Sequence, residues 1–244
     1  MAEIHHFSYG PLTPVLALLL SFAGSLLGLR CTVRARDVEG RARAGWLALG
    51  AVAIGGTGIW VMHFIAMLGF EVRGMEIRYD AFLTLLSALV AVLVVGAGLF
   101  IVGFGGFRPR PLLGGGALTG AGVASMHYLG MAAMNMSGHV EYNPLLVVAS
   151  VLIALVAATA ALWFSARLSG GWTTTGAAAI MAVAISGMHY TGMLAMEVHA
   201  DPALGAPSGA TALDFLLPLF LGVSLVSVLL MLIIAVSPRD ADAN

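Results

Sequence analysis

Seven long apolar stretches, separated by short segments of Pro, Gly and charge, run through this 244-residue chain and leave it few ways to fold. They lie at residues 12–29, 46–69, 81–103, 114–136, 144–164, 173–196 and 214–236. A helix that crosses the hydrocarbon of a bilayer needs about 20 mainly apolar residues, and in lipid a helix satisfies its own backbone polar groups. The expected fold is therefore all-α, a polytopic integral membrane protein of seven transmembrane helices with lipid as its solvent. Composition agrees: 60% of residues are hydrophobic, 9% are charged and the mean hydropathy is +0.98, far from the balance of a soluble domain. Seven spans and their loops nearly exhaust the length, which argues against an added soluble domain. The first apolar run has no Lys or Arg before it, so it reads as a retained helix rather than a signal peptide.

The basic residues are all Arg, and their placement sets the topology. Arg30, Arg34, Arg36, Arg41 and Arg43 crowd the segment from Arg30 to Gly45; Arg108, Arg110, Arg167 and Arg239 follow later odd-numbered helices on the same side. The other side carries only Arg73 and Arg78, among Glu71, Glu76 and Asp80. By the positive-inside rule, residues 1–11 form an external N-terminal segment, 12–236 the seven-helix membrane domain and 237–244 a cytoplasmic tail. The expected location is the cell inner (plasma) membrane, with the N-terminus outside. The arginines mark topology and contact anionic lipid; nothing in their placement points to nucleic acid. The single cysteine, Cys31, sits in the Arg-rich segment, read as a loop, and excludes an intramolecular disulfide and a cysteine metal cluster.

Helices two, four and six each reach the same motif late in the span, at the outer side. Met62-His63-Phe64-Ile65-Ala66-Met67, Met126-His127-Tyr128-Leu129-Gly130-Met131 and Met188-His189-Tyr190-Thr191-Gly192-Met193 share the pattern M-H-[FY]-x-[AG]-M. The histidines stand 64 and 62 residues apart, one helical hairpin per unit, which predicts three hairpin repeats with helix seven left over. Glycines at Gly55-Gly56, Gly114-Gly115-Gly116 and Gly120-Ala121-Gly122 suit close packing of helices two, four and six.

An ionisable side chain inside the membrane is costly unless it faces the protein interior and finds a partner. Three at matched depth, roughly 10 Å below the outer boundary by helical rise, point to one shared site. On each helix the histidine and the second methionine lie four residues apart, on one face, pairing His63 with Met67, His127 with Met131 and His189 with Met193. Imidazole and thioether together suit copper, with zinc second, while hard oxygen-seeking ions are disfavoured. Met62, Met126, Met188, Tyr128 and Tyr190 are expected around the ligands rather than among them, since the tyrosines point about 100° away from the histidines they follow. Methionine also fills apolar gaps, the expected role of Met134, Met136 and Met196; helix two has Phe70 where the others extend to Met134 and Met196. His5, His6, His139 and His199 fall on the outer side, where they could line a metal entry path.

At these residues the chain resembles the MHYT-domain family, bacterial seven-helix sensor modules named for a Met-His-Tyr-Thr motif. Only Met188-His189-Tyr190-Thr191 keeps the full signature; the second copy has Leu129 in the last place and the first reads Met62-His63-Phe64-Ile65. The run Gly58-Ile59-Trp60-Val61 before the first copy is also similar. The resemblance implies a sensory role with a copper site that perceives oxygen, CO or NO. Family members commonly carry a cytoplasmic cyclic-dinucleotide cyclase or phosphodiesterase domain after the seventh helix; here eight residues follow Val236, which points either to a separate cytoplasmic signalling partner or to a protein that is not a sensor in the signalling sense. Three other readings use the same histidines. A zinc or copper membrane enzyme would need a base, with Glu197 and Asp201 the nearest acids; a b-type haem would take two of the imidazoles; copper transport would need ligands further in, such as Met181 and Cys31. A sensor is expected over an enzyme.

Overall fold

A computed structural model describes residues 3–106, 108–212, 214 and 217–236. The expected tail 237–244, with Arg239, lies outside the described residues. The described residues form seven long helices: α1 (Leu12–Arg36), α2 (Gly40–Met67), α3 (Ala81–Gly105), α4 (Pro109–Ala132), α5 (Pro144–Arg167), α6 (Gly171–Leu194) and α7 (Leu217–Val236). Five of them, α1, α2, α3, α5 and α6, are long and apolar enough to cross a membrane. Large apolar side chains such as Phe82, Leu93, Leu145, Val156, Val183 and Leu221 lie exposed on the outer surface, an arrangement suited to lipid and not to water.

Local chemistry sets the helix starts. The Asp80 carboxylate accepts the Leu83 amide at 2.8 Å, and the Asn143 side chain accepts those of Leu145 and Leu146, satisfying donors that the first turn leaves open. Pro109 and Pro144 open α4 and α5, where a missing N–H costs nothing. The Arg-rich segment is mostly helix, which corrects the expected loop from Arg30 to Gly45. The first helix runs on to Arg36 and the second begins at Gly40, whose φ of +56° lets the chain reverse tightly. Arg43 donates Nε to the carbonyls of Ala35, in the last turn of α1, and Val38, just after it, at 3.0 Å, while Arg36 donates to the Leu168 carbonyl at the end of α5 and ties the two helix ends together. Cys31 is therefore a buried helical residue, 0% exposed.

Six of the helices close a ring: each of α1 to α6 packs on the next, and α6 returns to α1. The motif helices α2, α4 and α6 converge on the axis at their motif ends, with α1, α3 and α5 in the grooves between them. The last helix packs outside the ring against α1 and α2, joined by a 2.6 Å hydrogen bond between the Thr57 and Ser227 hydroxyls. Within α2 the stretch Val52–Val61 is π-wound, a rare geometry. Gly55 there brings the backbone against Ala91 of α3, and Gly24 of α1 meets Gly58. On α4, Gly116 and Gly120 meet Thr159 and Leu155 of α5, and Gly122 meets Val94 of α3. The glycines thus seat the motif helices against the intervening ones, not against one another as expected, because the groove helices are what approach along most of the length.

At the motif end the helices stop short of the predicted limits and give way to three antiparallel two-stranded ribbons. These pair β1 (Ile4–His5) with β2 (Glu71–Val72), β3 (Arg78–Tyr79) with β4 (Met134–Asn135), and β5 (Gly138–Tyr142) with β6 (Met196–Ala200). Met134 and Met196, expected as helical continuations, instead pair with Tyr79 and Tyr142 at matching places in two ribbons. Each ribbon ties the segment after one motif helix to a segment from elsewhere in the chain and seals that end of the bundle.

Candidate metal centre

The alternation of helices delivers one histidine from each of α2, α4 and α6 to the axis, four or five residues from the helix ends, about 6–8 Å in by helical rise. His63, His127 and His189 are 1%, 0% and 1% exposed. Their Nδ1 atoms face one another: His63 to His189 at 2.9 Å, His63 to His127 at 3.2 Å and His127 to His189 at 3.4 Å. All three Nε2 atoms are buried without a hydrogen-bond partner among the described residues.

Protons cannot satisfy this triangle. An imidazole nitrogen either donates or accepts, so three mutually facing Nδ1 atoms always leave at least one contact as lone pair against lone pair or hydrogen against hydrogen. A cation at the centre, accepting three lone pairs, removes that conflict. The spacing fits: nitrogens bound about 2.0–2.1 Å from a tetrahedral ion stand about 3.3 Å apart. Three such ligands leave a fourth position open. The three buried histidines could therefore hold a metal ion. No carboxylate joins the cluster among the described residues, so the ligand set is neutral imidazole.

Packing fixes the ring orientations. The Nε2 edge of His63 lies on Gly130 of α4, and that of His127 lies on Gly192 of α6; a Cβ at those glycines would fall 2.3 Å and 2.2 Å from the nitrogens. These glycines are the small residues of the motif itself, recognised in the sequence as pattern but not as supports for a neighbouring ring. The signal was their place three residues after each histidine. The aromatic residue following each histidine stands edge-on to it: Phe64, Tyr128 and Tyr190 at 4.9 Å between ring centres. Tyr128 hydrogen-bonds Ser150 of α5 at 2.7 Å, while the buried Tyr190 hydroxyl has no partner among the described residues.

The motif methionines Met67, Met131 and Met193, with Met62, Met126 and Met188, are all buried on the same helices. What converges at the axis is nitrogen. Met67 faces an outer cavity shared with Thr13, Phe70 and Tyr79, and Met188 an inner cavity shared with Met181. The external histidines are dispersed over the ribbons. His139 pairs with Asp201 at 3.1 Å and stands opposite His199 in the β5–β6 ribbon; His5 contacts Glu3. His6 is half-buried against Phe70, with 5.7 Å between ring centres, and burial lowers its pKa from 6.5. Glu197 lies just beyond the end of α6, in β6 opposite Glu141.

Comparison with known proteins gives this arrangement its relatives. The family model described as "MHYT: Bacterial signalling protein N terminal repeat" matches in three tandem copies, at residues 56–115, 120–178 and 183–243. Each copy begins in a motif helix and runs on through the next, so by sequence the third copy takes in α7 and leaves α1 outside. In space the reverse holds: α1 completes the ring and α7 is the helix left over. The bifunctional diguanylate cyclase/cyclic di-GMP phosphodiesterase MucR of Pseudomonas aeruginosa is 37% identical over 97% of this chain and 35% of its own length. The cyclic di-GMP phosphodiesterase NbdA of the same organism is 34% identical over 84% of the chain and 26% of its own length. The signaling protein YkoW of Bacillus subtilis is 32% identical over 81% of the chain and 25% of its own length. The chain thus spans about a quarter to a third of these relatives. No solved structure matches it. With three tandem copies of the repeat, each presenting one buried histidine to a common centre, the chain belongs to the MHYT family of bacterial signalling-protein N-terminal repeats.

Proposed function

We propose that the chain is a seven-span membrane sensor module in which His63, His127 and His189 hold a copper ion with an open position for a diatomic gas such as oxygen, CO or NO. The observation that carries this reading is the triangle of facing Nδ1 atoms, 2.9 to 3.4 Å apart and sealed from water. Neutral imidazoles with methionine sulfur on the same helices favour copper over zinc, because thioether is a soft ligand; one or more of Met67, Met131 and Met193 is the proposed sulfur donor. When bound, the ion supplies a site for a small ligand that the protein alone lacks. The chain's own residues hold the imidazoles apart, exclude water and fix which nitrogen faces inward. The arginine-rich end is cytoplasmic and the ribbons are external, following the positive-inside rule. Named activities of MucR and NbdA suggest that the output is cyclic di-GMP turnover, reached through a cytoplasmic signalling partner or domain.

Elemental analysis and paramagnetic resonance on the full chain, purified in nanodiscs without added metal, test this. Copper stoichiometric with the chain is expected, with nitrogen hyperfine structure in the oxidised form and loss of the metal in His127→Ala. Protein that stays metal-free after exposure to copper and zinc would overturn the metal reading; a Soret band in the same preparation would replace it with haem.

A further inference from the structure

We propose that the bundle contains a dry docking pocket for one small, uncharged, apolar molecule directly beneath the histidine triad, on the side away from the ribbons. The inference deepens the sensor reading and rests on it for its biological meaning, although the pocket needs no metal to exist. A cavity of about 50 Å³ lies among α2 to α6. Ile59, Val123 and Ile185 all line it. Each stands four residues before a triad histidine; Val123 and Ile185 are thereby one α-helical turn down on the same face, and Ile59 joins them from the end of the π-wound stretch. The cavity therefore continues the axis on which the imidazoles converge. Below that layer it is bounded by Thr119 and Met181, which stand four residues earlier still on α4 and α6, and its lateral wall is Ala154, Ala157, Ala158 and Ala161 of α5.

The lining selects the occupant. The volume is several times the roughly 10–15 Å³ that one water needs, but a buried water also requires two to four polar partners. Thr119 is the one hydroxyl-bearing side chain among the lining residues, and it already donates to the Val94 carbonyl at 3.2 Å. An apolar cavity of this kind stays empty of water and takes up apolar guests. A quinone ring is too large for the space. A diatomic gas fits, and it would sit one helical turn from the nitrogens proposed to hold the metal.

Xenon is the probe. The full chain, metal-free in nanodiscs, with Ile δ1-methyl groups labelled, should show saturable shifts of Ile59 and Ile185 on equilibration with xenon, with Ile4 and Ile233 unmoved. Ala158→Leu, which fills the cavity, should abolish those shifts, and Met181→Ala, which enlarges it, should make them larger at the same pressure. Absence of shifts in the parent chain, or equal shifts in the parent and both variants, overturns the proposal. If Ala158→Leu fails to fold, the direction of the Met181→Ala effect decides. Because the experiment uses metal-free protein, its failure is separate from failure to find copper by elemental analysis.

Discussion

At the residue scale, the triad depends on what is absent beside it. Gly130 and Gly192 leave room for the outward edges of His63 and His127, and a methyl group there has to displace a ring or a helix. Gly130→Ala and Gly192→Ala should each cost about 1–3 kcal/mol, the range of overpacking in a filled core, and should weaken metal uptake more than they weaken folding. Gly187→Ala on α6 is the control, since nothing lies within 4 Å of its added carbon; it should be neutral or stabilising by up to about 1 kcal/mol. Thermal melts with and without metal separate the two effects. His6 provides a pH test. Its folded pKa is depressed by burial from 6.5, so the folded state binds the proton less readily than the unfolded chain does. The contribution of neutral His6 is complete above its ordinary value and falls away as the pH drops below it. Protection factors at the β1–β2 ribbon, corrected for the slower intrinsic exchange at lower pH, should fall on mild acidification, and His6→Phe should remove that dependence.

At the scale of elements, a buried hydrogen bond holds the π-wound stretch of α2 against α3. The Trp60 indole donates to the Ser87 hydroxyl of α3 at 3.0 Å; Ser87→Ala leaves that N–H unsatisfied and should lower stability by about 1–3 kcal/mol. Much of this layer was legible in the sequence. All seven predicted spans overlap helices, and the motif histidines meet as the repeat implied. The limits were less legible. Arg30, Arg34 and Arg36 read as a loop because charge marks segment ends, whereas long side chains reaching backbone carbonyls let α1 continue past them. Met134 and Met196 keep helical spacing from their histidines but leave the helix to pair with Tyr79 and Tyr142, a choice made by partners distant in sequence. Neither the inward face of each imidazole nor the π-winding has a local signature. Both follow from how neighbouring helices seat.

At the scale of the molecule, the plan is a threefold ring built from a chain whose repeats are offset by one helix. Hydropathy and arginine placement give the proposed orientation a direct check. A reporter active only in the cytoplasm should work when joined after α7, and a cysteine introduced at Glu71 in the β1–β2 ribbon should react with an impermeant reagent added outside intact cells. The opposite pattern would invert the topology and place the triad near the inner face. The ring's closure by α1 gives each helix a different task. The three imidazoles are anchored to the axis, while the final helix leans on the rim through Leu230 and the Thr57–Ser227 contact. Thr57 belongs to the same helix as His63, so a rotation of that one rod would reach the periphery without the other two motif helices having to open. The last helix hangs on the outside of the barrel like a cord tied to a single stave.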